Sequence, residues 1–331
     1  MRAGNRIRDH SWVPGKDFTE QEPPLNPPTD ELNTSIMSTC STPLPDLPSW
    51  LKRPLPSRGE ISRLKEGFRS SGLHTVCESA RCPNIGECFS NKTATYMING
   101  NVCTRVCGFC DVKSGRPLPL DPTEPQKLAA SAKAIGLSYV VVTAVNRDDL
   151  PDGGASQFKA VGEALKDSIP GVEFEFLIPD FNGKVEPLVT VLECGPAVLN
   201  HNLETVRRLT PEVRNKAKFD RSLEVLANAK TYGKAQTKTG LMLGLGETRE
   251  ELIDAFQAAA SVQVDILTLG QYLKPPGERY LKVERYLPEE EFEELKHLAE
   301  DAGIPTVYSG PFVRSSFHAG EIAQQSRKAK D

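Results

Sequence analysis

Seven short apolar stretches, rich in β-branched and aromatic residues, recur along this chain about every 30 residues, the length of a strand-and-helix unit. They are TATYMI (93–98), SYVVVTAV (138–145), EFEFLIP (173–179), AVLNHN (197–202), TKTGLMLG (237–244), DILTLGQY (265–272) and TVYSGPF (306–312). Helical patterns lie between them. Thr123 and Gln126 form a capping-box pattern ahead of Leu128, Ala132 and Ile135, and Thr248 with Glu251 repeats it ahead of Leu252, Ile253 and Phe256. Pro288 and the run Glu289 to Glu291 open a helix with an expected buried stripe of Phe292, Leu295, Leu298 and Ala302, stopped by Gly303. Strands and helices that alternate through short connections demand parallel strands and right-handed crossovers. The fold class expected is therefore α/β, and six or seven such units suit a barrel or partial barrel better than an open nucleotide-binding sheet. Chemistry in such a barrel sits at the carboxyl ends of the strands. Asn146, Arg147, Asp148, Asp180, Asn182, Asn200 to Glu204, Glu247, Gln271 and Tyr272 fall there. Singly each reads as a cap or a turn residue; together they define one rim.

Residues 1–58 hold ten of the 26 prolines and little periodicity, so an extended or disordered lead-in is expected. Met37 offers an internal start, which makes the first 36 residues a candidate mis-start or dispensable tail, and Cys40 an unremarkable thiol. A short amphipathic helix is expected over Ile61 to Arg69. Residues 59–92 and 314–331 are read as extensions that cover the barrel mouth. The formal net charge of −4 leaves no basic footprint, so nucleic acid is excluded as a primary partner. No apolar run approaches the ~20 residues that span a bilayer, so no membrane is expected either. No apolar secretory segment opens the chain, and Asp9, Asp17, Glu20 and Glu22 argue against an organelle transit peptide. The expected location is the cytoplasm, where clustered thiols point to metal or redox chemistry before disulfides.

Six of the eight cysteines lie between Cys77 and Cys110, in two triples around the first strand. Cys77, Cys82 and Cys88 are spaced C-x4-C-x5-C; Cys103, Cys107 and Cys110 are spaced C-x3-C-x2-C. A 4Fe-4S cluster takes four thiolates, so three leave one iron open, and an open position is what a catalytic metal keeps. Zinc with a distant fourth ligand, His74 or His201, is the competing reading, disfavoured by the lack of paired knuckles. Phe109, just before the last cysteine, would shield a cluster on one side. Cys194 reads as a packing thiol.

The C-x3-C-x-aromatic-C pattern at Cys103, Cys107, Phe109 and Cys110, placed after the first barrel strand, resembles the radical S-adenosylmethionine superfamily. That resemblance implies a partial (β/α)6 TIM-like barrel over residues 93–313, an open iron that binds S-adenosylmethionine, and a cleavage that yields a 5′-deoxyadenosyl radical. Asp152, Gly153 and Gly154 in DDLPDGGA stand where the superfamily's glycine-rich cofactor segment falls, and LGLGET (243–248) offers a second cradle. The further matches CESARCPNIGEC, HNLETV, QYLKP and a terminal RSS resemble the lipoyl synthase family over about residues 70–320. This resemblance implies sulfur insertion at C6 and C8 of an octanoyl group on a lysine of a carrier domain, with two S-adenosylmethionine molecules and two 4Fe-4S clusters. The first triple would hold the cluster that gives up sulfur, closed by a serine, Ser315 or Ser316, with Ser316 favoured. Asn202, Glu204 and Glu247 join Asp152, Gly153 and Gly154 as expected cofactor contacts. The implied partners are octanoylated domains of the 2-oxoacid dehydrogenase E2 or glycine cleavage H type, a low-potential donor such as ferredoxin or flavodoxin, and an iron–sulfur carrier. The family's tyrosine after the two serines is Phe317 here, which puts any role for that hydroxyl in doubt, and the proline-rich lead-in is not explained by the resemblance. The alternatives are another sulfur-inserting radical enzyme of the biotin synthase kind, which leaves the first triple unexplained, and a non-catalytic zinc or iron–sulfur module. The strand between the triples is expected to place both at one barrel mouth.

Overall fold

In the computed structural model, residues 48–51, 58–80, 82, 84–90 and 94–328 are described. The expected lead-in over 1–58, Met37 and Cys40 lie almost wholly outside them. The seven expected strands are all present and parallel: β2 (Thr95–Ile98), β3 (Tyr139–Ala144), β4 (Glu173–Leu177), β5 (Val198–Asn200), β6 (Gln236–Leu243), β7 (Ile266–Gln271) and β8 (Thr306–Ser309). An eighth, β1 (His74–Thr75), pairs antiparallel with β2 and was not foreseen. Sheet order follows chain order from β1 to β8, and the two ends do not pair, so the barrel is partial.

Strand faces alternate as the pleat requires. Val140, Val142, Phe174, Phe176 and Leu199 pack outward with the helices Glu124–Ile135, Ala155–Ser168 and Val185–Glu193. Leu241, Leu243, Leu267 and Leu269 do the same on the other half, with Leu252, Phe256, Phe292 and Leu295. The inward face carries polar groups. Lys238 Nζ lies 3.0 Å from the Glu175 carboxylate, which also accepts from Asn200 (2.9 Å) and from the Tyr139 hydroxyl (3.2 Å). A buried pair of this kind persists because each partner satisfies the other.

Helix starts divide the two capping-box expectations. Thr248 and Glu251 form the reciprocal box. Thr123 does not: its hydroxyl and N–H both turn back to Asp121, and Pro125 in the first turn begins the helix instead. In the helix Glu289–Asp301, Phe292, Leu295 and Ala299 are buried, while Leu298 and Ala302 are half-buried.

The chain's end enters the barrel. After β8, Val313 places its carbonyl against Gly270 of β7, where a Cβ would lie 2.1 Å away, and Ser315 sits over Gly240 of β6. The helix Ala319–Lys328 then closes the amino end of the barrel: Ile322 and Ala323 pack on Val198 and Ile266, and Gln236 donates to Ser326 at 2.8 Å. Glycines on two adjacent strands thus make room for the RSS segment to run from one end of the barrel toward the other.

Candidate active site

The second triple lies on the loop after β2. Cys103 is held by backbone bonds to Lys113 and Gly115, and Gly108 by bonds to Val213 and Leu281. Arg105, between the first two thiols, is the anchor. Its guanidinium is buried, 2.7 Å from Asp148 after β3 and 2.8 Å from Asp180 after β4, and donates to Asn182 at 2.9 Å. Arg221 braces Asp180 from the far side at 3.0 Å. Burial would raise both carboxyls, but Arg105 holds them below the usual range. Three strand ends and the thiol loop are thereby fixed to one another.

The thiols themselves are set for a cation. Burial pushes Cys107 up to about 11 and Cys110 up to about 12, and the neighbouring thiols and Glu204 add to it. Cys103 and Cys110 pack against Met97, Val112 and Val145. Two desolvated thiols beside a third fit a group that supplies positive charge, since ligation deprotonates a thiol outright. The proposed zinc partner His201 is already used, its ring bonded to the Ile178 carbonyl at 2.9 Å and the Ser222 hydroxyl at 3.0 Å. Phe109 is half-buried against the apolar layer around Leu203 and Leu269.

The first triple lies elsewhere than expected. Because β1 runs antiparallel to β2, the chain descends along it, and Cys77 comes to rest beside Thr95, the first residue of β2. Cys103 instead follows Ile98, the last. The triples therefore flank β2 from opposite ends, ~10 Å apart along a four-residue strand, and the expectation of a single shared rim is corrected. Cys77 is buried, which raises its thiol to about 11. Cys82 follows it with a backbone bond of 3.0 Å, and Cys88 sits in the helix Ile85–Ser90. Two contacts tie this segment to the chain's end: Asn84 donates to the Phe312 carbonyl at 2.7 Å, and Glu87 lies 3.6 Å from His318. Between them a cavity of about 600 Å³ is lined by Cys88, Tyr139, Val141, Phe317 and His318.

The other expected residues divide. Gly153 and Gly154 adopt φ of +62° and +86°, and a Cβ on either would strike the Phe181 ring or the Asn99 amide. Asn99 is fully buried, and neither polar atom of its amide has a partner among the described residues. A backbone turn stripped of side chains beside an unsatisfied amide fits a polar ligand such as the cofactor's methionyl end. Asp152 caps this turn, accepting from Gly154 and Ser156, and Glu247 accepts from Gly244 and Leu245 in its own turn. Both carboxylates are thus occupied structurally. Asn202 donates to Glu204 at 3.0 Å and to Ser315 at 2.7 Å, and Glu204, at φ +67°, has its carboxyl raised by burial. Arg105, Asn84 and Asn99 were missed by sequence reasoning; only Arg105, a charge inside the motif, carried any signal. Cys194 packs against Gly162, as expected of a packing thiol.

An open parallel barrel with a thiol triple just past its first parallel strand defines the radical S-adenosylmethionine class, and residues 97–259 match the family model of that superfamily. Residues 14–82 match the N-terminal domain of lipoyl synthase of the radical SAM family, a match that reaches well into the proline-rich lead-in. The chain belongs to the lipoyl synthase family. A lipoyl synthase of Pyrobaculum calidifontis is 51% identical over 279 residues, covering 83% of this chain and 96% of that protein. One of Rubrobacter xylanophilus is 50% identical over 282 residues, covering 85% and 88%. Among solved structures, the FeFe-hydrogenase maturase HydG from Carboxydothermus hydrogenoformans shares the fold, with a TM-score of 0.51 at 13% identity over 81% of this chain and 78% of that one.

Proposed function

We infer that this chain is a lipoyl synthase: it inserts two sulfur atoms, at C6 and C8, into an octanoyl group carried on a protein lysine. The observation that carries the reading is the pair of thiol triples at opposite ends of β2, inside a family match that spans most of the chain. An unactivated methylene has no acidic proton, so general bases and nucleophiles do not functionalise it. When bound, 4Fe-4S clusters supply the electron that cleaves S-adenosylmethionine at the second triple and the sulfur that is inserted at the first. Everything else falls to the protein. Cys103, Cys107 and Cys110 hold one cluster, and Arg105 fixes their loop to the strand ends. Gly153, Gly154 and Asn99 shape the pocket for the cofactor's polar end. Cys77, Cys82 and Cys88 hold the other cluster, with Ser316 as a weak fourth ligand. Two observations support Ser316 over Ser315: the Ser315 hydroxyl is already engaged by Asn202, and Ser316 has no hydrogen-bond partner among the described residues. An oxygen ligand on a cluster that prefers sulfur is readily lost, which suits a cluster that is consumed.

The partners that follow are octanoylated carrier domains of the E2 or H-protein type, a ferredoxin- or flavodoxin-like donor, and an iron–sulfur carrier that rebuilds the first cluster. The seven cysteines among the described residues are free thiols, which suits the reducing cytoplasm. No helix among those residues is long and apolar enough to cross a membrane. Anaerobic turnover of the reconstituted protein with an octanoyl-lysyl carrier peptide tests the reading. A product heavier by two sulfurs, formed together with 5′-deoxyadenosine, is expected; 5′-deoxyadenosine with no sulfur in the peptide would contradict it.

A further inference from the structure

We propose that Asn202 is a positioning residue for the sulfur-donating half of the site: it clasps Ser315 and so aims the adjoining Ser316 at the first thiol triple. The proposal rests on Ser316 being the fourth ligand there. Asn202 belongs to the segment after β5, on the cofactor side, yet its side-chain amide is spent on the chain's end. Its Nδ2 donates to Ser315 Oγ at 2.7 Å, and its Oδ1 accepts from the same hydroxyl at 3.0 Å. The remaining Nδ2 hydrogen goes to Glu204 at 3.0 Å, and the Asn202 carbonyl accepts from Arg214 at 2.8 Å. Asn202 is buried and its side-chain amide and carbonyl are already engaged, which leaves that side chain poorly placed to meet a cofactor.

Room for the clasp is built into the barrel wall. A Cβ on Gly240 would stand 2.6 Å from Thr268 Oγ1, 3.1 Å from Asn202 Oδ1 and 3.2 Å from Ser315 Oγ, so glycine is what leaves room for this pair beside Thr268. The next tail contacts lie at the first triple: Phe317 and His318 line the cavity that holds Cys88, and His318 reaches Glu87. Ser316 therefore sits between a fixed point on the cofactor side and a contact beside the sulfur source. A short peptide pinned at both ends has few orientations for the residue between, and that restriction substitutes for a dedicated bond to Ser316.

Three variants test this: Asn202→Ala, Ser315→Ala and Gly240→Ala, the last disturbing the clasp without removing either partner. In the metal-free protein, hydrogen exchange of the amides of residues 312–318 reports the clasp directly and is expected to quicken about fivefold to tenfold in each, the range one or two hydrogen bonds control. In a background with Cys103, Cys107 and Cys110 all changed to Ala, the Mössbauer spectrum of iron at the first triple should match that of Ser316→Ala. In the reconstituted protein with the second triple intact, lipoyl product should fall about tenfold while 5′-deoxyadenosine stays within about twofold, and Asn202→Ala with Ser315→Ala should be no worse than either alone. If Asn202→Ala instead abolishes 5′-deoxyadenosine while exchange of the tail is unchanged, Asn202 is a cofactor contact and the clasp is wrong. Should Asn202→Ala prove silent in all three measurements while Ser316→Ala is damaging, the clasp alone is overturned. A silent Ser316→Ala would instead overturn the ligand assignment, and the aiming role with it.

Discussion

Arg105 shows how one buried charge positions a thiol loop. It stands inside the C-x3-C spacing, yet its partners Asp148 and Asp180 belong to two other strand ends, 43 and 75 positions away along the chain. His201 is the complementary case, a buried ring that must remain neutral. Burial lowers its pKa to about 4, and Arg214 adds to the effect, while the Ile178 carbonyl opposes it. The unfolded ring takes up a proton near pH 6.5, so below that the unfolded state binds more protons than the folded one. Stability should therefore decline as pH falls from about 6.5 to about 4, by about 3 kcal/mol at most. Melting temperature measured across that window should fall for the natural chain and much less for His201→Asn; equal slopes would show that His201 is not the group responsible. At this scale the two thiol triples stood out in the sequence because each lies within a dozen residues of chain. The partners of Ser315, Phe312 and Arg105 were not. Asn202 and Ser315 are 113 residues apart, and Asn84 and Phe312 are 228 apart, and no local pattern records such a pair.

Elements were legible wherever burial imposed a period. Most of the parallel strands are buried along nearly their whole length, and all seven were found within a few residues of their ends. β1 was missed because two residues carry no period at all. That omission had a consequence larger than its size, for β1 sets the direction of the chain that carries Cys77. Capping chemistry was legible only where nothing competed for the hydroxyl: Thr248 bonds the Glu251 N–H as expected, whereas Asp121 diverts Thr123. The box at Thr248 opens the helix Arg249–Ser261, which packs Leu252 and Phe256 beneath β6 and β7. Thr248→Ala should cost about 1 kcal/mol, the usual worth of a cap, as a lowered melting temperature with cofactor turnover intact. Thr123→Ala, which disturbs no cap bond to its own helix, should cost less; the reverse order would show that the capping assignments are mistaken.

Across the whole molecule, β2 separates the two triples and the chain's end reaches toward both. The glycines at 240 and 270 admit the RSS segment, the helix Ala319–Lys328 seats it at the amino end, and Asn84 ties Phe312 to the first-triple segment. Composition and periodicity predict the barrel, but not that its interior is threaded by its own end, because the contacts that hold the tail are single polar bonds rather than a stripe. The two triples consequently face β2 from either end, with the inward side chains of Thr95 and Met97 between them. Under the proposed division of labour, a substrate methylene would be held along that strand, between the two triples.

The central claim is that the two triples do different work, and paired substitution under anaerobic turnover tests it most directly. One variant changes Cys77, Cys82 and Cys88 to Ala; the other changes Cys103, Cys107 and Cys110. With an octanoyl-lysyl peptide, the first should still release 5′-deoxyadenosine from S-adenosylmethionine while adding no sulfur. The second should release none and leave the peptide unchanged. If both variants lost cofactor cleavage alike, or if the first still formed lipoyl product, the division of labour across β2 would be contradicted.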